Sequence, residues 1–168
     1  NMQMYWHAES TKFNGDIKDD EMYAVLRLGN DLINNFYEIR IPLKVTPWKT
    51  TDATLIWPSA NEMLVSLDQL TKLKVERNNS GNVFNYFKKT LADGKEYAIL
   101  GNPNLGEVRV FFMGVENRFK DDLCTEVWVN ELRLDGINEK PAWAAIGRVD
   151  FKLADLGTLY IAGAAHST

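Results

Sequence analysis

Side chains able to do chemistry are few in this chain, and they are far apart. His7 and His166 stand at opposite ends of the 168 residues. Neither has a His or Cys at metal-ligand spacing, which disfavours zinc. Cys124 is the only cysteine, so no intrachain disulfide can form. A reactive thiol would need an activating base, and the neighbouring sequence offers none. The run Gly101-Asn102-Pro103-Asn104-Leu105-Gly106 holds two glycines but leads into a strand-like segment. It reads as a turn and not as a dinucleotide fingerprint, and there is no phosphate loop, nucleophile elbow or His-Glu-x-x-His helix. The expectation is a protein without enzymatic activity and without a cofactor.

The carboxylates allow one more chemistry. Asp19-Asp20-Glu21 and Asp121-Asp122 offer the hard oxygens that suit Ca²⁺, but without calcium-loop spacing they read as solvated turns. Glu131 and Arg133 share one face of a strand, as an exposed pair or part of a buried network. Tyr37, Trp48 and Trp57 are the candidate interaction surface. Their rings would stack on a sugar if exposed and would serve packing if buried.

The elements that must position these groups are strands. In residues 37–45, Tyr37, Ile39, Ile41, Leu43 and Val45 alternate with Glu38, Arg40, Pro42 and Lys44. A period of two sends the apolar set to a core and the charged set to water. Pro42 cannot donate to a ladder, which predicts an edge strand or a bulge. Residues 2–6 and 22–28 carry apolar faces of the same kind, and 107–115 and 126–134 are rich in Val, Phe and Trp. Asp93-Gly94 predicts a hairpin with arms over 83–90 and 96–100. One helix is expected. Ser66-Leu67-Asp68-Gln69 has the form of a capping box, Leu67, Leu70 and Leu73 follow at helical spacing, and Ser59 is a rival start.

After Asp135 the texture changes. Ala145, Gly147, Val149, Phe151 and Leu153 are apolar or small, whereas Arg148, Asp150 and Lys152 are charged. A turn at Ala154-Asp155-Leu156-Gly157 and a second run over 158–165 complete a hairpin led by Trp143. Two strands of about ten residues with one apolar face fit a transmembrane β-hairpin. A hairpin on a soluble sandwich has the same pattern. The predicted domains are a β-sandwich over 1–140 and this hairpin over 141–168. The fold class is mainly β, an antiparallel sandwich of roughly eight to ten strands, jelly-roll or galactose-binding-like, with one short helix.

Bulk properties narrow the class. A chain of 19.2 kDa should expose about 8,400 Å² when compact. Nineteen Lys and Arg against 23 Asp and Glu give a net charge of −4. The basic residues form no stripe, which argues against nucleic-acid binding. No run of 18 apolar residues suggests a membrane helix. The abrupt start at Asn1 reads as a piece of something longer.

Several phrases occur in a fixed order. They are Met4-Tyr5-Trp6-His7-Ala8-Glu9, Tyr23-Ala24-Val25-Leu26-Arg27-Leu28-Gly29, Asn35-Phe36-Tyr37-Glu38-Ile39-Arg40-Ile41-Pro42-Leu43 and Ile56-Trp57-Pro58. Gly101-Asn102-Pro103-Asn104-Leu105-Gly106-Glu107-Val108-Arg109, Glu126-Val127-Trp128-Val129-Asn130-Glu131-Leu132-Arg133-Leu134, Trp143-Ala144-Ala145 and Lys152-Leu153-Ala154-Asp155-Leu156-Gly157 follow. The series resembles a stretch of the SprA/Sov family of Bacteroidetes cell-surface proteins, and the match is looser over 59–80.

The resemblance implies an internal domain of an outer-membrane β-barrel translocon, the export channel of type IX secretion and gliding motility. It implies a non-enzymatic structural or docking role. The partners would be other secretion components and exported cargo, and the location the outer membrane or cell surface, with this fragment itself soluble. The tail would begin or mimic barrel strands. A carbohydrate-binding module of a cell-surface protein is the alternative, resting on the sandwich and the aromatic residues.

Overall fold

The computed structural model describes residues 1–11, 17–136 and 144–166. The expected turn at 14–16 and the leading Trp143 lie outside them. The chain divides into two units, Asn1–Gly136 and Ile137–Thr168.

The described residues of the first unit run β1 (Met2–Ser10), β2 (Met22–Gly29), β3 (Phe36–Pro42), α1 (Ala53–Ile56), β4 (Glu62–Val65), α2 (Leu67–Asn79), β5 (Phe87–Thr90), β6 (Glu96–Leu100), β7 (Val110–Asn117), β8 (Thr125–Val129) and β9 (Arg133–Leu134). They form two antiparallel sheets. One has the order β4-β1-β8, with β9 also on β1; the other has the order β5-β6-β3-β2-β7. Alternation decides which side chains meet between them. Met2, Met4, Trp6 and Ala8 of β1, Met22, Ala24, Leu26 and Leu28 of β2, and Tyr37, Ile39 and Ile41 of β3 are all buried in one core. The fold is mainly β, in antiparallel sheets, as the periodicity predicts.

Pro42 does not mark an edge. The strand that ends at Pro42 is central, flanked by β2 and β6. The β6 ladder stops at Arg40 opposite Glu96, so Pro42 lies past its end and its missing N–H removes no bond from that side. The chain continues beyond it through a side-chain substitute for a strand. The Asn61 amide accepts from the Lys44 N–H at 2.7 Å and donates to the Lys44 carbonyl at 2.9 Å.

Residues 126–134 form two strands and not one. Trp6 lies opposite Val129 and Met2 opposite Leu134, so the second strand spends one residue more than β1 over the same distance. That is a bulge, and one extra residue reverses which side chains face inward. Val127 before it and Leu132 after it both pack against the core, although their spacing is odd.

The helix α2 packs on β6 with Leu70, Leu73 and Arg77 buried. Ser66 is its N-cap residue, but its side chain makes no capping bond. The rival start at Ser59 is a short 3₁₀ turn leading into β4. Arg77 is fully buried and bonds to carbonyl groups: its Nη1 donates to Val83 at 3.0 Å and also to Gly101. Gly101 has φ +65°, and a Cβ there would stand 1.8 Å from the Asn34 carbonyl oxygen. Only glycine fits. The Asp93-Gly94 hairpin forms, with its first arm confined to β5.

The second unit is a two-stranded hairpin, β10 (Ala144–Leu153) and β11 (Gly157–His166). Its register pairs Ala145 with Ala165, Gly147 with Gly163, Val149 with Ile161, Phe151 with Leu159 and Leu153 with Gly157 on one side. The other side carries Arg148, Asp150 and Lys152 opposite Ala162, Tyr160 and Thr158. Every described residue of the hairpin is exposed.

Candidate functional site

The side of the second sheet that faces away from the core carries a lattice of charges. Arg27, Glu38, Arg40, Glu96 and Glu116 come from four neighbouring strands, β2, β3, β6 and β7, and Arg118 directly follows β7. Glu38 is its centre. Its side chain has no exposed surface, yet it accepts from Arg27 Nε at 2.7 Å and the Tyr86 hydroxyl at 2.7 Å. Arg40 Nη2 lies 2.8 Å from Glu38 Oε1, the oxygen that also accepts from Tyr86. A buried carboxylate needs such partners. Burial, then the bond to Glu38, pushes the Tyr86 phenol far above its ordinary value.

Glu96 anchors the other end. Arg118 donates to both of its oxygens, at 3.1 and 2.8 Å, and Lys88 adds a contact of 3.2 Å. The bonds from Arg118 hold the Glu96 carboxyl below its ordinary value. Arg118 also lies over the Tyr23 ring at 3.6 Å, and Arg27 over Phe36 at 4.0 Å. These charges are spent on one another. The expectation that Glu38 faces water is therefore corrected: alternation turns it away from the core, but Arg27 and Tyr86 cover it, while Arg40 stays partly exposed and pairs with Glu38 and Glu116.

The candidate aromatic residues are not brought together as one surface. Tyr37 is 2% exposed and belongs to the core. Trp48 is 37% exposed, in a loop after β3. Trp57 is half-buried and packs obliquely on His7, ring centres 5.9 Å apart. His7 itself is buried, its Nδ1 2.8 Å from the Ile56 carbonyl oxygen and 3.0 Å from the Thr46 hydroxyl. This ties the segment before β4 to β1.

The remaining candidates are surface features. Asp19 and Asp20 flank the Lys44 ammonium, at 3.6 and 2.9 Å. Glu131 and Arg133 form an exposed pair at 2.9 Å, of a kind that contributes about 0–1 kcal/mol. Cys124 is exposed. Among the described residues no group of three His, Cys, Asp or Glu is placed to hold a metal ion.

The hairpin is the other feature with a distinctive surface. One face is apolar from end to end, and Val149, Ile161, Phe151 and Leu159 are each about half exposed or more. On the opposite face Arg148 pairs with Asp150 at 2.9 Å and lies over Tyr160 at 5.3 Å. Sequence reasoning finds this two-sidedness directly, because it depends only on alternation. It cannot find the Glu38 lattice, whose members are scattered from Arg27 to Arg118.

Two antiparallel sheets around one core with one helix packed on them, and a separate strand pair with one apolar and one charged face, define a mainly β protein. The chain belongs to the SprA_N family, described as motility related/secretion protein, whose model matches residues 1–168. No curated protein matches the chain. Among the described residues no helix is long and apolar enough to cross a membrane, which does not bear on strands.

Proposed function

We propose that this chain is a non-enzymatic structural and docking domain of an outer-membrane export translocon, serving type IX secretion and gliding motility. The sandwich is its folded body, and β10 and β11 contribute to the wall of a β-barrel in the parent protein. The partners are other components of the secretion machinery and the cargo that passes through it.

One observation carries this reading. Each hairpin strand has ten residues, and a membrane-crossing strand needs about 9–11. The face formed by Ala145, Gly147, Val149, Phe151 and Leu153 with their partners has no charged residue. The opposite face holds Arg148, Asp150 and Lys152. Lipid on one side and a polar lumen on the other require this division. Membership of a motility and secretion family supports the setting.

The test is made in the parent protein in cells. Val149→Asp and Ile161→Asp place charges on the apolar face, where each is destabilising if it faces lipid, by less than the about 2–4 kcal/mol of an Arg or Lys at the bilayer midplane. Both are expected to lower the amount of parent protein in the outer membrane and to reduce cargo export. Arg148→Ser, on the other face, is expected to leave both near normal. Normal export and membrane levels in the two Asp variants would overturn the proposal.

A further inference from the structure

Among the described residues, one side of the sandwich is left open. β7 ends the second sheet and β8 ends the first, and residues 118–124 carry the chain from one to the other along this side. Phe111, Met113 and Val115 stand opposite Leu28, Leu26 and Ala24, all three of which are buried. Residues directly opposite in a ladder share a face. These three therefore point toward the core side, yet they are 50%, 49% and 42% exposed. On the facing sheet Val129, opposite the buried Trp6, is 42% exposed.

The backbone is open at the same place. The Arg118 N–H donates to the Glu21 carbonyl at 2.9 Å, which fixes the phase of the β2–β7 ladder. The N–H groups of Phe111, Met113 and Val115 then point away from β2. Edge strands that face water usually carry inward charges, prolines or short lengths. β7 has eight residues, and Val110 to Val115 include no charge and no proline.

The amount of open surface indicates the size of what covers it. A whole aromatic side chain buries at most about 250 Å², so half-exposed Phe111 and the smaller Met113, Val115 and Val129 together leave less than about 500 Å² uncovered. A stable association of two folded copies needs about 800 Å² from each. The opening is too small for a second copy and matches one added strand.

We propose that the β7 edge is a strand-addition site. Its occupant is an extended peptide segment with apolar side chains at alternate positions. Its backbone pairs with the free N–H and C=O groups of β7, and its alternate side chains fill the gap beside Phe111, Met113, Val115 and Val129. Main-chain bonds supply affinity, and the alternating pockets select sequence.

The probe is a synthetic peptide of about ten residues, with Val and Ile alternating with Thr and a Lys at each end. It is added to the 168-residue chain while amide hydrogen exchange is followed by NMR. Expected is protection of the Phe111, Met113 and Val115 amides, with binding at least about tenfold weaker in Met113→Pro and in Val115→Lys. Proline at 113 removes a donor that points away from β2 and leaves the existing ladder intact. Should that variant fail to fold, Val115→Lys carries the same test. No protection with peptide at about 1 mM, or unchanged binding in a folded variant, would overturn the proposal. So would a dimer through β7 in sedimentation without peptide, which would assign the edge to a second copy.

Discussion

Arg27 on β2 and Glu38 on β3 stand directly opposite each other, and Arg27 Nε donates to Glu38 Oε2 at 2.7 Å. The Glu38 side chain has no exposed surface, whereas Arg27 keeps about a quarter of its own. The carboxylate therefore depends on its partners more than they depend on it. Its loss leaves Arg27, Arg40 and Tyr86 facing an empty space under a layer of side chains.

Glu38→Ala is accordingly expected to lower the unfolding free energy by about 3 kcal/mol, the scale on which a broken buried pair is felt. Urea unfolding of the chain measures it. An unchanged midpoint would show that the lattice contributes nothing to stability.

Acid should weaken the fold through the same surface. Arg118 holds the folded Glu96 carboxyl below its ordinary value of 4.5. A carboxyl with a depressed folded value binds fewer protons in the folded state than in the unfolded one. Its contribution is thus present above pH 4.5 and lost as pH falls through the folded value. Asp31 acts in the same direction, because the N–H groups of Asn34 and its neighbours hold its carboxylate ionised. Stability against pH should be level above 4.5 and fall below it, with a shallower fall in Glu96→Gln. An unchanged slope in that variant would contradict the assignment to Glu96.

Asn61 should be irreplaceable by an apolar residue. It is fully buried and occupies both the N–H and the C=O of Lys44. Asn61→Ala leaves those two backbone groups without partners, at about 1–3 kcal/mol for a buried one. The change is read as a lower melting temperature together with faster exchange of the Lys44 amide. Wild-type exchange at that amide would rule out the role.

What the sequence made legible follows from what a period of two can carry. It places Met4, Trp6, Leu26, Ile39 and Ile41 correctly, because each strand's inward face depends on local alternation alone. It also sorts the two faces of β10 and β11. It does not reveal that Glu38 is buried, since Arg27 and Tyr86 reach it from other elements. Nor does it reveal the bulge between Val129 and Leu134, because a one-residue excess shows only against the partner strand. Pro42 misleads for a related reason: whether a missing N–H matters depends on how far β6 extends. Of the three aromatic candidates, alternation already sets Tyr37 with Ile39 and Ile41 on the inward face, whereas Trp48 and Trp57 lie in no alternating run and their exposure is decided by contacts the sequence does not show.

A role in a barrel wall requires the hairpin to have one lipid face and one polar face in the parent protein. Spin labels at single cysteines introduced from 145 to 152, with Cys124 replaced by Ser, test this in the parent protein reconstituted in lipid vesicles. Collision with oxygen reports lipid, and collision with a water-soluble nickel chelate reports water. The predicted result is strict alternation, with oxygen favoured at 145, 147, 149 and 151 and the chelate at 148, 150 and 152. Equal access of the chelate to both sets would contradict the account.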